Sequence, residues 1–342
     1  MDKTKDILVG GERDLNDKNY ISILYNRKLI FTLSKFYCHN KLNMLIVNIK
    51  NGLGNQMFQY AFGRVLEWKY GVSVLYHFFG ESEEHPRKTG LDVFSINEIN
   101  EPKNDIVEPF KPFSVRRYRD ERRYVKYIYY KLRRVLQKNR LITEQYPSQF
   151  QRCFENLDVD KMYFFLGFWQ NPLYFRGYED EIKKIFIPRD KSVYSSDIAL
   201  EITNSVFNTV GLHIRRGDYL TSGFIEPTDM DYYSKAIEHI QKTIAAPYFY
   251  IFTDEPQWVR EEFKFDIPYK LVTANVGSDS YKDIILMSLC EHNIIANSSF
   301  SWWGAWLNSN QDKMVIAPKK WYASAQRDRY AAEITPKDWI RL

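Results

Sequence analysis

Cysteine is scarce in this chain. Cys38, Cys153 and Cys290 are the only three, odd in number and far apart. They form no CxxC pair and no Cys/His cluster, which argues against a zinc site and a disulfide framework and points to a reducing, cytoplasmic setting. Long apolar runs are missing too. No stretch approaches about 18 uninterrupted apolar residues, so no transmembrane helix is expected. The charged start Met1-Asp2-Lys3-Thr4-Lys5-Asp6 has no signal-peptide core behind it, and Leu29 to Leu33 is too short to serve as one. No tandem repeat or low-complexity tract is visible.

What is there is ample material for a core: 44% apolar and 16% aromatic residues in a chain of 342, long enough for two domains. The aromatic excess suits stacking on sugars or bases, and core packing uses it equally. The net charge of +5 is uneven. Between Lys111 and Arg140 stand twelve Lys/Arg against Asp120 and Glu121, so the remainder of the chain sums to −5. A nucleic-acid binder would be basic more widely, and no nucleic-acid partner is expected. A local basic face fits peripheral contact through 111–140 with the inner face of a membrane, or with a lipid-linked diphosphate. A solvated helix face is the competing reading.

Residues 1–43 show no clear period and read as an N-terminal extension. Met44 to Ile49 reads as a buried strand, Asn51 to Gly54 as a tight turn, and Asn55 to Tyr70 as a helix with apolar residues at helical spacing. Gly71 stops that helix, and Val72 to Tyr76 returns as a strand. Residues 80–112 are polar loops, Val115 to Gln137 a basic helix, and Met162 to Phe168 a strand. From Thr209 onwards strands and helices alternate quickly, the pattern of a parallel sheet covered on both faces. The expected class is α/β, with one α/β unit over 44–200, carrying the basic helix as an insertion, and a second Rossmann-like unit over 201–342.

Three stretches carry chemistry. Asn51-Gly52-Leu53-Gly54-Asn55-Gln56 follows a strand and opens a helix, where backbone N–H groups converge. Met57 replaces the third glycine of a dinucleotide fingerprint, and no Lys-Ser/Thr follows to make a phosphate loop. Gly54, Asn55 and Gln56 are therefore cleft candidates. His213-Ile214-Arg215-Arg216-Gly217-Asp218-Tyr219 ends an apolar strand, at the edge where open sheets bind ligands. Two arginines there can match diphosphate oxygens, provided the strand breaks near Arg216-Gly217. Asp218 and His213 are candidate bases; a plain Arg–Asp salt bridge is the alternative. Asn297-Ser298-Ser299-Phe300-Ser301 caps a helix and offers hydroxyls to a phosphate or ribose. Trp302, Trp303 and Trp306 read as packing. The pairs Asp158/Asp160 and Asp229/Asp231 resemble a metal-holding Asp-x-Asp, but neither follows a convincing strand.

Six stretches in order resemble the bacterial α-1,2-fucosyltransferases, glycosyltransferase family 11. They are Gly52 to Tyr60, Gly167-Phe168-Trp169-Gln170, His213 to Tyr219, Phe252-Thr253-Asp254, Asn297 to Gly304, and Pro318-Lys319-Lys320-Trp321. The resemblance implies a GT-B architecture, two Rossmann-like domains facing across a cleft, with the 44–200 unit on the acceptor side. It also implies GDP-fucose as donor, a galactose-terminated oligosaccharide or lipid-linked glycan as acceptor, inversion at the anomeric carbon, and no metal or other cofactor. Arg215, Arg216, Asp254, Asn297, Ser298, Ser299 and Ser301 would then face the donor, and Arg215, Asp218, His213 and Arg216 the chemistry. Rival readings are another GDP-sugar transferase, such as an α-1,6-fucosyltransferase, and a non-catalytic glycan-binding protein.

Overall fold

The computed structural model describes residues 44–78, 90–96, 99–107, 140–144, 152–223, 225–329 and 331–342. The extension 1–43, the helix expected over Val115 to Gln137 and the basic run, apart from Arg140, lie outside the described residues. All described residues belong to one compact unit. No described helix is long and apolar enough to cross a membrane.

The first sheet contains β1 (Leu45–Ile49), β2 (Val74–Phe78), β3 (Arg140–Thr143) and β4 (Tyr163–Leu166) in the order β2-β1-β4-β3, all parallel. β1 is central and buried at every position, as an unbroken Leu-Ile-Val-Asn-Ile run requires. The helix Leu53–Tyr70 follows it and buries Met57, Phe58, Ala61, Phe62, Val65 and Leu66. It ends where Gly71 takes a left-handed conformation and donates its N–H to Glu67 O.

The second sheet has β5 (Asn208–Ile214), β6 (Pro247–Thr253), β7 (Tyr269–Val272), β8 (His292–Ile294), β9 (Val315–Ala317) and β10 (Ile340–Arg341). Its order is β10-β9-β8-β5-β6-β7, again all parallel, which is the doubly wound dinucleotide-fold order. The strands β3 and β10 were not expected: each is short and lies at a sheet edge, where apolar patterning is weakest. The chain joins this half before residue 200, since Ala199 and Ile202 of helix Asp197–Thr203 pack with Tyr250, Phe252 and Leu286.

The halves share a core. Phe58 of the first lies 4.5 Å from Trp302 and 4.9 Å from Trp303 of the second, centroid to centroid, and Phe186 packs edge-on against Trp303 at 4.9 Å. The tryptophans thus do the packing expected of them.

Candidate active site

In the second sheet strand order reverses between β5 and β8. Loops at such a point diverge to opposite faces and leave a crevice at the carboxyl edge. Here that crevice opens onto a cleft of about 1160 Å³, which residues just beyond β1 and β4 also line. Asn51 to Asn55, Phe168 and Gln170 line it from the first half, and His213, Arg215, Asp218, Asp254, Asp283 and Ser298 to Phe300 from the second.

Parallel register explains the arginine site. Ile214 pairs with Thr253, so Arg215 and Asp254 emerge side by side from β5 and β6. The Arg215 guanidinium donates from Nε (3.1 Å) and Nη2 (2.8 Å) to Asp218 Oδ1, while Nη1 lies 3.2 Å from Asp254 Oδ2. Two carboxylates therefore fix its plane while its side chain stays about one-third exposed. Arg216 goes elsewhere. Its N–H donates to Asp254 Oδ1 and its guanidinium stacks over Trp258 at 3.9 Å, outside the cleft lining. A two-arginine fork is not formed, because the chain leaves the strand at Ile214 and sends adjacent side chains apart. Asp254 holds both arginine residues, with each oxygen already engaged.

His213 is buried with Nδ1 unpartnered and its ring tilted against Phe300. Burial, reinforced by the Arg215 charge, pushes its pKa down to about 3, so it stays neutral and is a feeble base. Asp218 is exposed and lines the cleft.

Ser298 caps the helix Ser299–Leu307, its Oγ accepting from Phe300 N, and Ser299 lines the cleft beside it. Ser301 does not reach the cleft: it is fully buried, its hydroxyl donating to Ser298 O. Asn297 borders the cleft, but its amide is engaged by Glu226 O, Trp321 O and Thr228 Oγ1. Gln56 is turned inward and ties Asn51 O to Gly90 N. Asn55 does face the cleft, its Oδ1 accepting from Gln170 Nε2 at 2.6 Å. At Gly54 a Cβ would lie 2.6 Å from Phe300 N and Ser299 C, so only glycine lets the two helices meet.

Asp283 escaped the sequence reading. It sits in the first turn of helix Tyr281–Leu289, borders the cleft, and accepts from Asn275 Nδ2 at 2.7 Å. Burial pushes its pKa up to about 7. A lone acid among Tyr281, Ile284 and Ile285 was the available signal. The Asp-x-Asp pairs serve locally: Asp158 pairs with Lys161, Asp229 caps helix Met230–Thr243, and Asp231 pairs with Lys235.

Two parallel α/β halves that line one cleft from the carboxyl ends of their strands define a GT-B-type glycosyltransferase architecture. The chain belongs to glycosyl transferase family 11, whose model matches residues 44–342. It is 31% identical to the O-antigen biosynthesis glycosyltransferase WbnK of Escherichia coli, covering 86% of this chain and 99% of that one. It is 27% identical to an α-1,2-colitosyltransferase of the same species, covering 88% and 99%. Among solved structures, the α-1,6-fucosyltransferase NodZ soaked with GDP-fucose aligns with a TM-score of 0.44 and 16% identity, covering 77% of this chain and 92% of that one.

Proposed function

We propose that the protein is an inverting galactoside α-1,2-fucosyltransferase, moving L-fucose from GDP-fucose to O2 of a terminal galactose on a glycan. The observation that carries this reading is Arg215, clamped by two carboxylates at the β5/β8 switch point and lining one cleft with Asn55, Phe168 and Gln170 of the other half. Acceptor O2 attacks fucose C1 in line as the bond from C1 to the diphosphate oxygen breaks. Arg215 and the N–H groups at the start of helix Ser299–Leu307 take up the charge growing on the departing GDP, with no metal or other cofactor required. Asp218 accepts the acceptor proton, since neutral His213 is too weakly basic. Guanine presents two adjacent N–H donors that a carboxylate can accept side by side, and Asp283 supports GDP over other nucleotides on that ground. The acceptor lies against Asn55, Phe168 and Gln170.

The colitosyltransferase relative supports the α-1,2 linkage and favours one second reading, a colitosyl donor in the same cleft. Purified protein mixed with GDP-fucose or GDP-colitose and β-galactosides, with the product linkage read by NMR, separates the two. GDP-fucose should give an α-1,2 product, and excess EDTA should leave the rate largely intact. A product at another hydroxyl, or abolition by EDTA with rescue by Mg²⁺ or Mn²⁺, overturns the corresponding part.

A further inference from the structure

One buried carboxylate has no part in that chemistry. Glu144 directly follows β3 and is only 5% exposed. Its Oε2 accepts the N–H groups of Phe168 at 2.6 Å and Trp169 at 2.8 Å, while Oε1 is buried with no partner. The turn it grips is unusual. Trp169 has a φ of 58°, a region bulky side chains seldom enter, and its ring stacks flat on Phe62 at 4.3 Å. A Cβ on Gly167 would lie 2.7 Å from Glu144 Oε2, so the chain can pass that close only as glycine.

The turn delivers a wall of the cleft. Phe168 and Gln170 both line it, and Gln170 Nε2 donates to Asn55 Oδ1. Lys50 Nζ covers the Phe168 ring at 4.7 Å. For stability alone a carboxylate is a poor choice here, because one buried oxygen is left unsatisfied. Burial raises its pKa to about 7, against the pull of its two backbone hydrogen bonds and the Lys50 charge. A residue that breaks a local rule where chain geometry is strained, next to a site, suggests a role in holding the site.

We propose that Glu144 is a positioning residue for the acceptor: its Oε2 fixes the Phe168–Gln170 turn and, through it, the Gln170–Asn55 pair against which the acceptor hydroxyl is aligned. This rests on the transferase reading above. Glu144→Ala removes the grip. Glu144→Gln keeps one oxygen able to accept both N–H groups. Glu144→Asp keeps the charge but withdraws the oxygen by one methylene.

The test compares four readouts in the full chain: acceptor kcat and KM at saturating donor, slow GDP release from GDP-fucose without acceptor, GDP affinity by calorimetry, and Tm. In Glu144→Ala, kcat/KM for the acceptor should fall on the order of 10²-fold, as misplacement by about 1 Å implies. GDP affinity and acceptor-independent GDP release should stay at wild type. Glu144→Gln should restore acceptor kinetics to within a few-fold even if its Tm is lower. If Glu144→Ala does not fold, Glu144→Asp carries the same comparison with a smaller loss. Parallel loss in all readouts, tracking Tm, or no loss of acceptor kinetics in the Ala or Asp variant, overturns the assignment. A wild-type protein that releases no GDP with any galactoside overturns the transferase reading and this inference with it; an active wild type with uniformly damaged variants overturns only the inference.

Discussion

Adjacent arginines of the same charge have different fates here. Arg215 presents a plane set by Asp218 and Asp254, and Arg216 lies flat on Trp258. Arg215→Lys should therefore lower turnover by about 10²–10³, the loss expected when a preorganised donor to developing charge goes, with little change in Tm. Arg216→Lys should leave turnover near wild type and remove only a stacking contribution of about 1 kcal/mol. Equal turnover losses in both variants would mean that Arg216 swings into the cleft when donor binds. The sequence shows two arginines after an apolar strand; which one faces the ligand depends on where the strand ends. Elsewhere on the cleft lining, Asp283→Asn keeps the contact with Asn275 but, where guanine docks as proposed, sets an NH₂ group against its donors. GDP affinity should fall on the order of 10- to 100-fold, measured by calorimetry beside UDP. An unchanged GDP affinity would place the base elsewhere.

At the scale of elements, the two helices that open at the cleft are locked to each other. Trp303 Nε1 donates to Gly54 O at 3.0 Å, and Gly54 lies against the Ser299–Phe300 backbone. Gly54→Ala should lower stability by ~1–3 kcal/mol or more through overpacking, with Tm and denaturant midpoint falling together. A variant as stable as wild type would show that the helices can slide apart. Much at this scale was legible beforehand. The Asn55 to Tyr70 stripe, the stop at Gly71 and the Ser298 cap are local patterns, and they form as read, to within a turn. The mutual fit of Gly54 with Ser299 was not, because it joins segments some 245 residues apart in sequence.

For the whole molecule, buried acids set the pH response. Burial holds the Glu144 and Asp283 carboxyls at about 7, above the 4.5 and 3.8 of the exposed groups. Between those limits the folded chain keeps protons that the unfolded chain releases, so their contribution weakens as pH rises toward 7. His213, held neutral, acts in the opposite sense: the unfolded chain gains a proton below 6.5 that the folded one refuses until about 3. The Tm difference between wild type and Glu144→Gln isolates the first effect. Wild type should lose ground to the variant from pH 5 until the folded carboxyl has itself ionised near pH 8, by up to ~1.4 kcal/mol for each step of one in pH. A constant difference would show that Glu144 titrates as an exposed acid.

Most of the described strands and helices, the α/β class and the motifs at strand ends follow from the sequence alone, because hydrophobic periodicity and capping act within a few residues; the short edge strands β3 and β10 do not. From these the cleft-facing Asn55, Arg215, Asp218 and Ser299 could be named. Only the tertiary structure decided that Arg216, Gln56 and Ser301 turn away. It alone brought Glu144 and Asp283 to the cleft's margins. The physical reason is that a side chain's direction at a strand end, and its burial, depend on which strands lie beside it. That pairing is a contact between distant segments which local pattern does not record.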